Sequence, residues 1–176
     1  HETLEELYGP LVAKGTLEPK VLAALPSKLM KALEATFRKH QLPWGKDLTG
    51  KNYLLKGVIE RFCRQILGQD LESEAFEILS LEDDHTNRTQ LEVDGHTFHL
   101  NGTFDRLDRL ADSGLVRILD YKTGQVEIGV RDIDKCFTDP KYKAAFQGFL
   151  YDWLYCRQYR DAQVQVGFYA VRNLKS

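Results

Sequence analysis

Apolar residues recur at helical spacing at the start of the chain. Within residues 1–15, one helix face is formed by Leu4, Leu7, Tyr8, Leu11 and Val12. Pro10 predicts a break or kink in this first helix. The segment is therefore predicted to be an interrupted amphipathic helix.

Two more helices are expected before the pattern changes. Ser27 is a suitable N-cap for a second helix that runs to about His40. A third helix is predicted over 50–67, where apolar side chains keep one face, and Gly68 and Asp70 are expected to end it. The N-terminal third is thus predicted to be helical.

Beyond residue 70, β-branched and aromatic residues at shorter spacing predict strands. The predicted strands cover 75–82, 89–95, 96–107 and 115–124, with turns at 83–87, 94–95 and 111–114. They are expected to form a mostly antiparallel meander. A long apolar helix over 141–159 and a last strand over 162–171 follow. This order predicts one domain of the α+β or mixed α/β class, with helices flanking the sheet.

Composition narrows the class of protein. The 176 residues are 43% hydrophobic, which is enough for a sizeable core in a single domain spanning 1–176. A net charge of -2 does not indicate a general polyanion binder, so any nucleic-acid surface must be a local basic patch. No apolar run is long enough to predict a membrane span, and the N-terminus lacks the pattern of a secretory signal.

The three cysteines and the chain start suggest a setting. No CxxC pair indicates zinc or an iron-sulfur cluster, and the odd, scattered cysteines favour a reducing, cytoplasmic location. The chain opens at His1 and its only methionine is Met30, so we expect a piece of a longer polypeptide.

The segment GTFDRLDRLADSGLVRILDYKTG, residues 102–124, carries candidate chemistry. Two strands joined by its turn would bring Asp105 near Asp120, and alternation puts Lys122 on the same face as Asp120. Two carboxylates supply hard oxygen ligands for a divalent cation, and a lysine can orient water or stabilise charge on a phosphate. The alternative is a surface hairpin with weak ion pairs.

The segment contains GxxDRxDR, then a strand that ends in DYKTG, and farther along the chain Gln147 and Tyr151 lie four residues apart. Together these features resemble the PD-(D/E)XK nuclease superfamily, specifically its RecB/AddB-like branch. Upstream, HETLEELY resembles the branch's first-helix segment, in which a histidine is a metal ligand. Glu82 resembles an acidic residue on the preceding strand. The resemblance implies a restriction-endonuclease-like core, with a central mixed sheet of about five strands flanked by helices.

The resemblance also implies residue roles. Asp105 and Asp120 would bind Mg²⁺ or Mn²⁺ with the backbone carbonyl of Tyr121 and the imidazole of His1. Lys122 would position the attacking water. The remaining candidates, which would contact the DNA backbone or support the site, are Gln147, Tyr151 and Glu82. Glu77 competes with Glu82, and only strand register can decide between them. No iron-sulfur cluster is expected.

Plain structural roles compete for several of these residues. Arg106 and Asp108 are expected to pair with neighbours rather than act in catalysis. Tyr151 fits a buried tyrosine bonded through its hydroxyl as well as it fits a DNA contact. Gln147, on an apolar helix, needs a polar partner. His99 lies too far along its strand from Asp105 to share a metal.

The residues together with the resemblance thus predict a metal-dependent DNA nuclease. The resemblance alone implies an exonuclease in double-strand-break repair or recombination, with a helicase domain or subunit as partner. DNA would approach local cations, namely Arg106, Arg109, Lys122, Arg131, Lys135, Lys141 and Lys143. Two alternatives stay open, a non-catalytic DNA-binding or scaffold module on the same fold and a stand-alone restriction or phage-type nuclease.

Overall fold

The fold is seen in a computed structural model that describes residues 1–83 and 88–170. Its helices are α1 (Glu2–Tyr8), α2 (Pro19–Lys39), α3 (Gly50–Glu72), α4 (Lys135–Thr138) and α5 (Lys143–Gln158). The first helix ends at Tyr8, and a short 3₁₀ turn, Gly9–Leu11, accommodates Pro10. The helical N-terminal third is confirmed. None of the helices in the described ranges is both long and apolar enough to span a membrane.

The start of α2 was predicted wrongly, because it begins at Pro19 and not at Ser27. Proline is favourable in the first helical turn, where its missing N–H has no partner to lose. Ser27 donates its hydroxyl to the Ala24 carbonyl, inside the helix. The helix continues through Pro26, at a usual cost of about 3 kcal/mol, because its apolar face is buried on both sides of the proline.

The strands are β1 (Phe76–Asp83), β2 (Arg88–Val93), β3 (His96–Asn101), β4 (Phe104–Leu110), β5 (Val116–Lys122) and β6 (Val164–Ala170). Four of them form a mixed sheet in the order β1-β4-β5-β6, in which only β5 and β6 are parallel. The mixed α/β fold class is confirmed, with four strands in this sheet where about five were expected. Val171 of the predicted last strand lies outside the described residues.

The predicted meander was wrong, because the segment 96–107 divides between two sheets. Within the described part of the chain, β2 and β3 pair only with each other, through a turn in which Asp94 and Gly95 both have positive φ. Both faces of this hairpin are largely exposed, so no core packing holds it in the main sheet. β1 therefore pairs with β4, from Phe76 opposite Leu110. Residues 84–87 of the turn predicted at 83–87 lie outside the described residues.

Apolar side chains form two core clusters on the main sheet. The larger one joins α1, α2 and α3 to residues such as Phe76 and Ile78 of β1. The smaller one packs Tyr151 and Tyr155 of α5 against Ile118 of β5 and its neighbours. The start of α1, the ends of β1 and β5, and the first turns of α5 thereby converge at one edge of the sheet.

Candidate active site

The β4–β5 hairpin brings the two candidate metal carboxylates together. Arg106 pairs with Leu119 and Leu107 with Ile118, and one further step in this register sets Asp105 opposite Asp120. The Tyr121 N–H donates to Asp105 Oδ2 at 2.7 Å. The proximity expected from the strand pairing is therefore present.

His1 and Glu82 lie beside Asp105. The Nδ1 atom of His1 is 3.5 Å from a carboxylate oxygen of each acid, and its Nε2 atom is 2.9 Å from the Tyr121 carbonyl oxygen. Ligand atoms of the three side chains all lie within 4.8 Å of one another, the separation expected of groups that can share a metal ion. Asp120 is not part of that group.

Register separates the two candidate glutamates of β1. Glu77 forms an ion pair with Arg109 at 2.7 Å, away from His1. Glu82 follows a bulge between Ile78 and Ser80 and has a φ of +46°, a left-handed conformation that is unfavourable for a side chain of this type. Such backbone strain is concentrated at functional sites, so Glu82 is the better candidate.

The pKa values of His1 and Asp105 are both raised above their usual values. A hydrogen bond with Glu82 and the charge of Asp105 raise the pKa of His1 to about 9, against an opposing effect of burial. Burial, helped by the charge of Asp120, raises the pKa of Asp105 to about 6, although the Tyr121 N–H lowers it. The carboxylates therefore attract a cation, which is a proton on His1 when no metal is bound.

The donor set fits a divalent cation. Carboxylate oxygens and a backbone carbonyl suit magnesium or manganese, and one imidazole nitrogen is a ligand more typical of transition metals than of magnesium. Asp120 Oδ2 is buried and accepts no hydrogen bond from residues 1–83 or 88–170, although Lys122 Nζ lies 2.7 Å away as an ion-pair partner. The hydrogen-bond geometry leaves this oxygen with lone pairs available to a ligand.

A polar relay continues from Asp120 into α5. Lys122 donates from Nζ to Asp120 Oδ1 at 3.0 Å and to Gln147 Oε1 at 2.7 Å. Gln147 donates to the Tyr151 hydroxyl at 2.5 Å, which donates to the Thr103 carbonyl at 2.7 Å. The polar partner that Gln147 needed is thus Lys122, and the relay fixes the lysine against the carboxylate.

Gly102 allows this relay to close. A Cβ atom at residue 102 would lie 2.9 Å from Cε1 of Tyr151 and 3.1 Å from Cδ1 of Leu154. Such contacts are too short, so any side chain there would displace the Tyr151 ring. Close packing against Tyr151 therefore explains why the GTFDR segment begins with glycine.

The other face of β4 carries a closed cluster formed by Asp70, Arg106, Asp108 and Arg117. Arg106 is fully buried, donates to both oxygens of Asp70 at 2.7 and 2.8 Å, and lies 3.0 Å from Asp108. Arg117 donates to both oxygens of Asp108 at 2.7 and 3.0 Å. Tyr8 and Tyr169 also donate to Asp70. Arg106 is therefore removed from the predicted DNA-contacting cations, because water and phosphate cannot reach it.

Asp70 is the structural residue that sequence reasoning missed. It was interpreted as the end of the third helix, but α3 continues to Glu72 and buries Asp70 completely. The available signal was its spacing, since Cys63, Ile66, Leu67 and Asp70 share one helix face. An acid in line with core residues predicts a buried basic partner.

A cleft of about 850 Å³ opens over the site. The first turns of α5 form one wall, and residues 123–126 after β5 contribute to its lining. His1, Lys122, Gln147 and Tyr151 line it as well. The cleft is thus bordered by two of the candidate metal ligands, His1 and Tyr121, and by the relay from Lys122 to Tyr151.

The profile of the PD-(D/E)XK nuclease superfamily matches residues 1–176. The chain belongs to this superfamily. A search of curated proteins found no match. As a PD-(D/E)XK protein, the chain is placed among nucleases, enzymes that bind nucleic acid and typically use divalent metals.

Proposed function

We propose that the chain is a DNA nuclease that depends on Mg²⁺ or Mn²⁺. The observation that carries the proposal is that ligand atoms of His1, Glu82 and Asp105 lie within 4.8 Å of one another. Asp120 and Lys122 lie on β5, the strand that pairs with the strand of Asp105. Either cation would be held by these acids, the His1 imidazole and the Tyr121 carbonyl. When bound, it supplies Lewis-acid activation of the phosphodiester.

Lys122 has the central role among the chain's own groups. Its ammonium group is held by Asp120 and Gln147, so a water or phosphate oxygen in the cleft meets a charge that is already oriented. Gln147 and Tyr151 act as positioning residues, because their hydrogen bonds reach the reaction through Lys122. Hydrolysis proceeds without a covalent enzyme intermediate.

The finer features of the proposal rest on the motif combination. The DR, DYKTG and QxxxY elements support the RecB/AddB-like branch, hence an exonuclease in double-strand-break repair or recombination that works with a helicase domain or subunit. A single nuclease domain over residues 1–176 is part of the same proposal. A cytoplasmic location accords with three free cysteines.

The test is cleavage of linear DNA by the purified chain with Mg²⁺ or Mn²⁺, and with EDTA. Asp120→Ala removes one carboxylate, and Glu77→Gln is the matched control because that glutamate pairs with Arg109 away from the site. We expect cleavage by the wild type and by Glu77→Gln, and none by Asp120→Ala. Equal cleavage by Asp120→Ala would rule out the assignment.

A non-catalytic DNA-binding module is the alternative on the same fold. Such a module can dispense with the ion pair between Lys122 and Asp120, which this chain keeps at 2.7 Å. DNA bound but not cut by the wild type with either metal would favour the module. The stand-alone restriction or phage-type nuclease would instead cut DNA without any helicase.

A further inference from the structure

The cleft carries an aromatic ring that the proposed chemistry does not use. Phe146 of α5 lines the cleft, and 38% of its surface is exposed. Phe137 of α4 is 71% exposed, and the two ring centroids are 5.4 Å apart at an interplanar angle of 72°. Neither ring belongs to the core clusters. Neighbouring exposed aromatic rings commonly mark a contact surface.

Two cations line the cleft beside this ring, Lys143 on the same helix and Lys122 at the end of β5. Lys143 also lines the cleft and precedes Phe146 by three residues, which makes the two side chains neighbours on the helix surface. On the other side, Gln147 follows Phe146 directly and accepts a hydrogen bond from Lys122. The ring thus lies between Lys143 at the cleft wall and Lys122 of the site.

We propose that Phe146, supported edge-on by Phe137, is a stacking platform for an unpaired base of the strand being cut. The inference rests on the proposed function and deepens it, because it assigns the selection of unpaired bases to one residue of the cleft wall. Alternating cations and aromatic rings are the usual means of holding a single strand, the cations on phosphates and the rings on bases.

Duplex DNA gains little from such a platform. The base faces of a duplex are covered by the neighbouring base pairs, so Phe146 can stack only on a frayed, flipped or unpaired nucleotide. Lys143, one helical turn away, is suitably placed for the phosphate of the same strand. The cleft therefore distinguishes single strands from duplexes through the ring and not through the metal.

The test measures binding directly. All proteins carry Asp120→Ala so that the strand stays intact, and the probe is a single-stranded oligonucleotide with a 2-aminopurine base, titrated in Mg²⁺. Phe146→Leu removes the ring but keeps an apolar side chain, Phe146→Trp keeps a ring, and Phe149→Leu is the control. Phe149 lies on the same helix, is 51% exposed and does not line the cleft.

We expect Phe146→Leu to weaken single-strand binding by about fivefold or more, as loss of one base-aromatic stack does, and to abolish 2-aminopurine quenching. Phe146→Trp should bind and quench like the parent, and Phe149→Leu should bind like the parent. Binding of blunt duplex should be the same in all four proteins. Unchanged single-strand binding by Phe146→Leu, or an equal loss in Phe149→Leu, would overturn the inference.

Failure of the proposed function reads out separately. If single-strand binding in the Asp120→Ala series depends on Phe146 but the protein without substitutions cleaves no DNA, the nuclease proposal fails and the stacking platform stands. If it cleaves DNA and Phe146→Leu keeps the same preference for single strands, the platform fails and the nuclease stands.

Discussion

β4 carries two polar clusters that differ in how their charges are matched. The closed cluster lies on the face that packs against α3. It balances Asp70 and Asp108 against Arg106 and Arg117, and three of the four residues are fully buried. The open cluster on the other face consists of His1, Glu82, Asp105 and Asp120, with Lys122 as its one ion-paired lysine among the described residues. Asp105 and Arg106 are adjacent in sequence and point to opposite faces.

The difference shows that charged residues in the closed cluster stabilise the fold, whereas those in the open cluster remain available to a ligand. Balanced, hydrogen-bonded charges hold α3 against the sheet and leave nothing for a ligand. With His1 neutral, three carboxylates of the open cluster face one ammonium group, an excess of two negative charges that one divalent cation neutralises. The closed cluster should therefore affect stability, and the open cluster should affect metal binding.

The largest expected effect comes from Asp105→Asn in the open cluster. Mn²⁺ affinity and cleavage should fall on the order of 10³-fold, the scale of losing one essential electrostatic group. The melting temperature of the metal-free protein should rise at pH 7, because burial raises the pKa of Asp105 to about 6 and the ionised form destabilises the fold.

The gain in stability should disappear below about pH 4, where the carboxyl group is protonated in the folded and unfolded states. Thermal melts at pH 7 and pH 4 with EDTA check this. A lower melting temperature for Asp105→Asn at pH 7 would contradict the interpretation that the ionised Asp105 carboxylate destabilises the metal-free protein.

Asp70→Asn should have the opposite signature. It breaks a buried pair and should lower the free energy of unfolding by about 3–5 kcal/mol. Glu77→Gln removes the more exposed Arg109 pair and should cost about 0–1 kcal/mol. Urea unfolding measures both, and equal costs would remove the distinction between buried and surface pairs.

The pH dependence of the Asp70 contribution has a defined sign. Although burial opposes it, the charge and hydrogen bonds of Arg106 lower the pKa of Asp70 below its usual value of 3.8. The stabilisation is thus present above about pH 4 and is lost as the pH falls through the lowered pKa. The stability difference between wild type and Asp70→Asn should shrink in strong acid.

Metal binding should release protons, mainly from His1. Since its pKa is raised to about 9, Mn²⁺ must displace close to one proton at pH 7, and affinity should rise about tenfold per pH unit from 6 to 9. Below about pH 6, Asp105 also takes up a proton and the dependence steepens. Calorimetric titration in buffers of different ionisation enthalpy measures this, and no proton release at pH 7 would exclude His1 as a ligand.

The smallest effect is expected for Gln147→Ala, which removes a support and not a ligand. Cleavage should fall about 10- to 100-fold, the range for partners that orient a reacting group, with Mn²⁺ affinity nearly unchanged. Steady-state cleavage and metal titration on one preparation separate the two quantities. A loss of metal affinity equal to that of Asp105→Asn would make Gln147 part of the metal site.

Local patterns predicted most elements and failed where distant partners decide. Helical spacing located α5, because that helix buries one face, and β-branched and aromatic residues located β5, which is buried on both faces. The start of α2 was wrong because packing of its apolar face outweighed the signal of Ser27. The meander was wrong because the exposed β2–β3 hairpin leaves the main sheet, which no local pattern reports.

The sequence by itself determined the hairpin that joins Asp105 to Asp120, since its turn is local and its side chains alternate with a period of two. It also determined the motif order by which the superfamily is recognised. Only the tertiary structure decided that Glu82 and not Glu77 lies by His1, that Asp70 is buried against Arg106, and that Lys122 meets Gln147. Those contacts join residues far apart in the chain, and their geometry depends on how α1, α3 and α5 pack on the sheet.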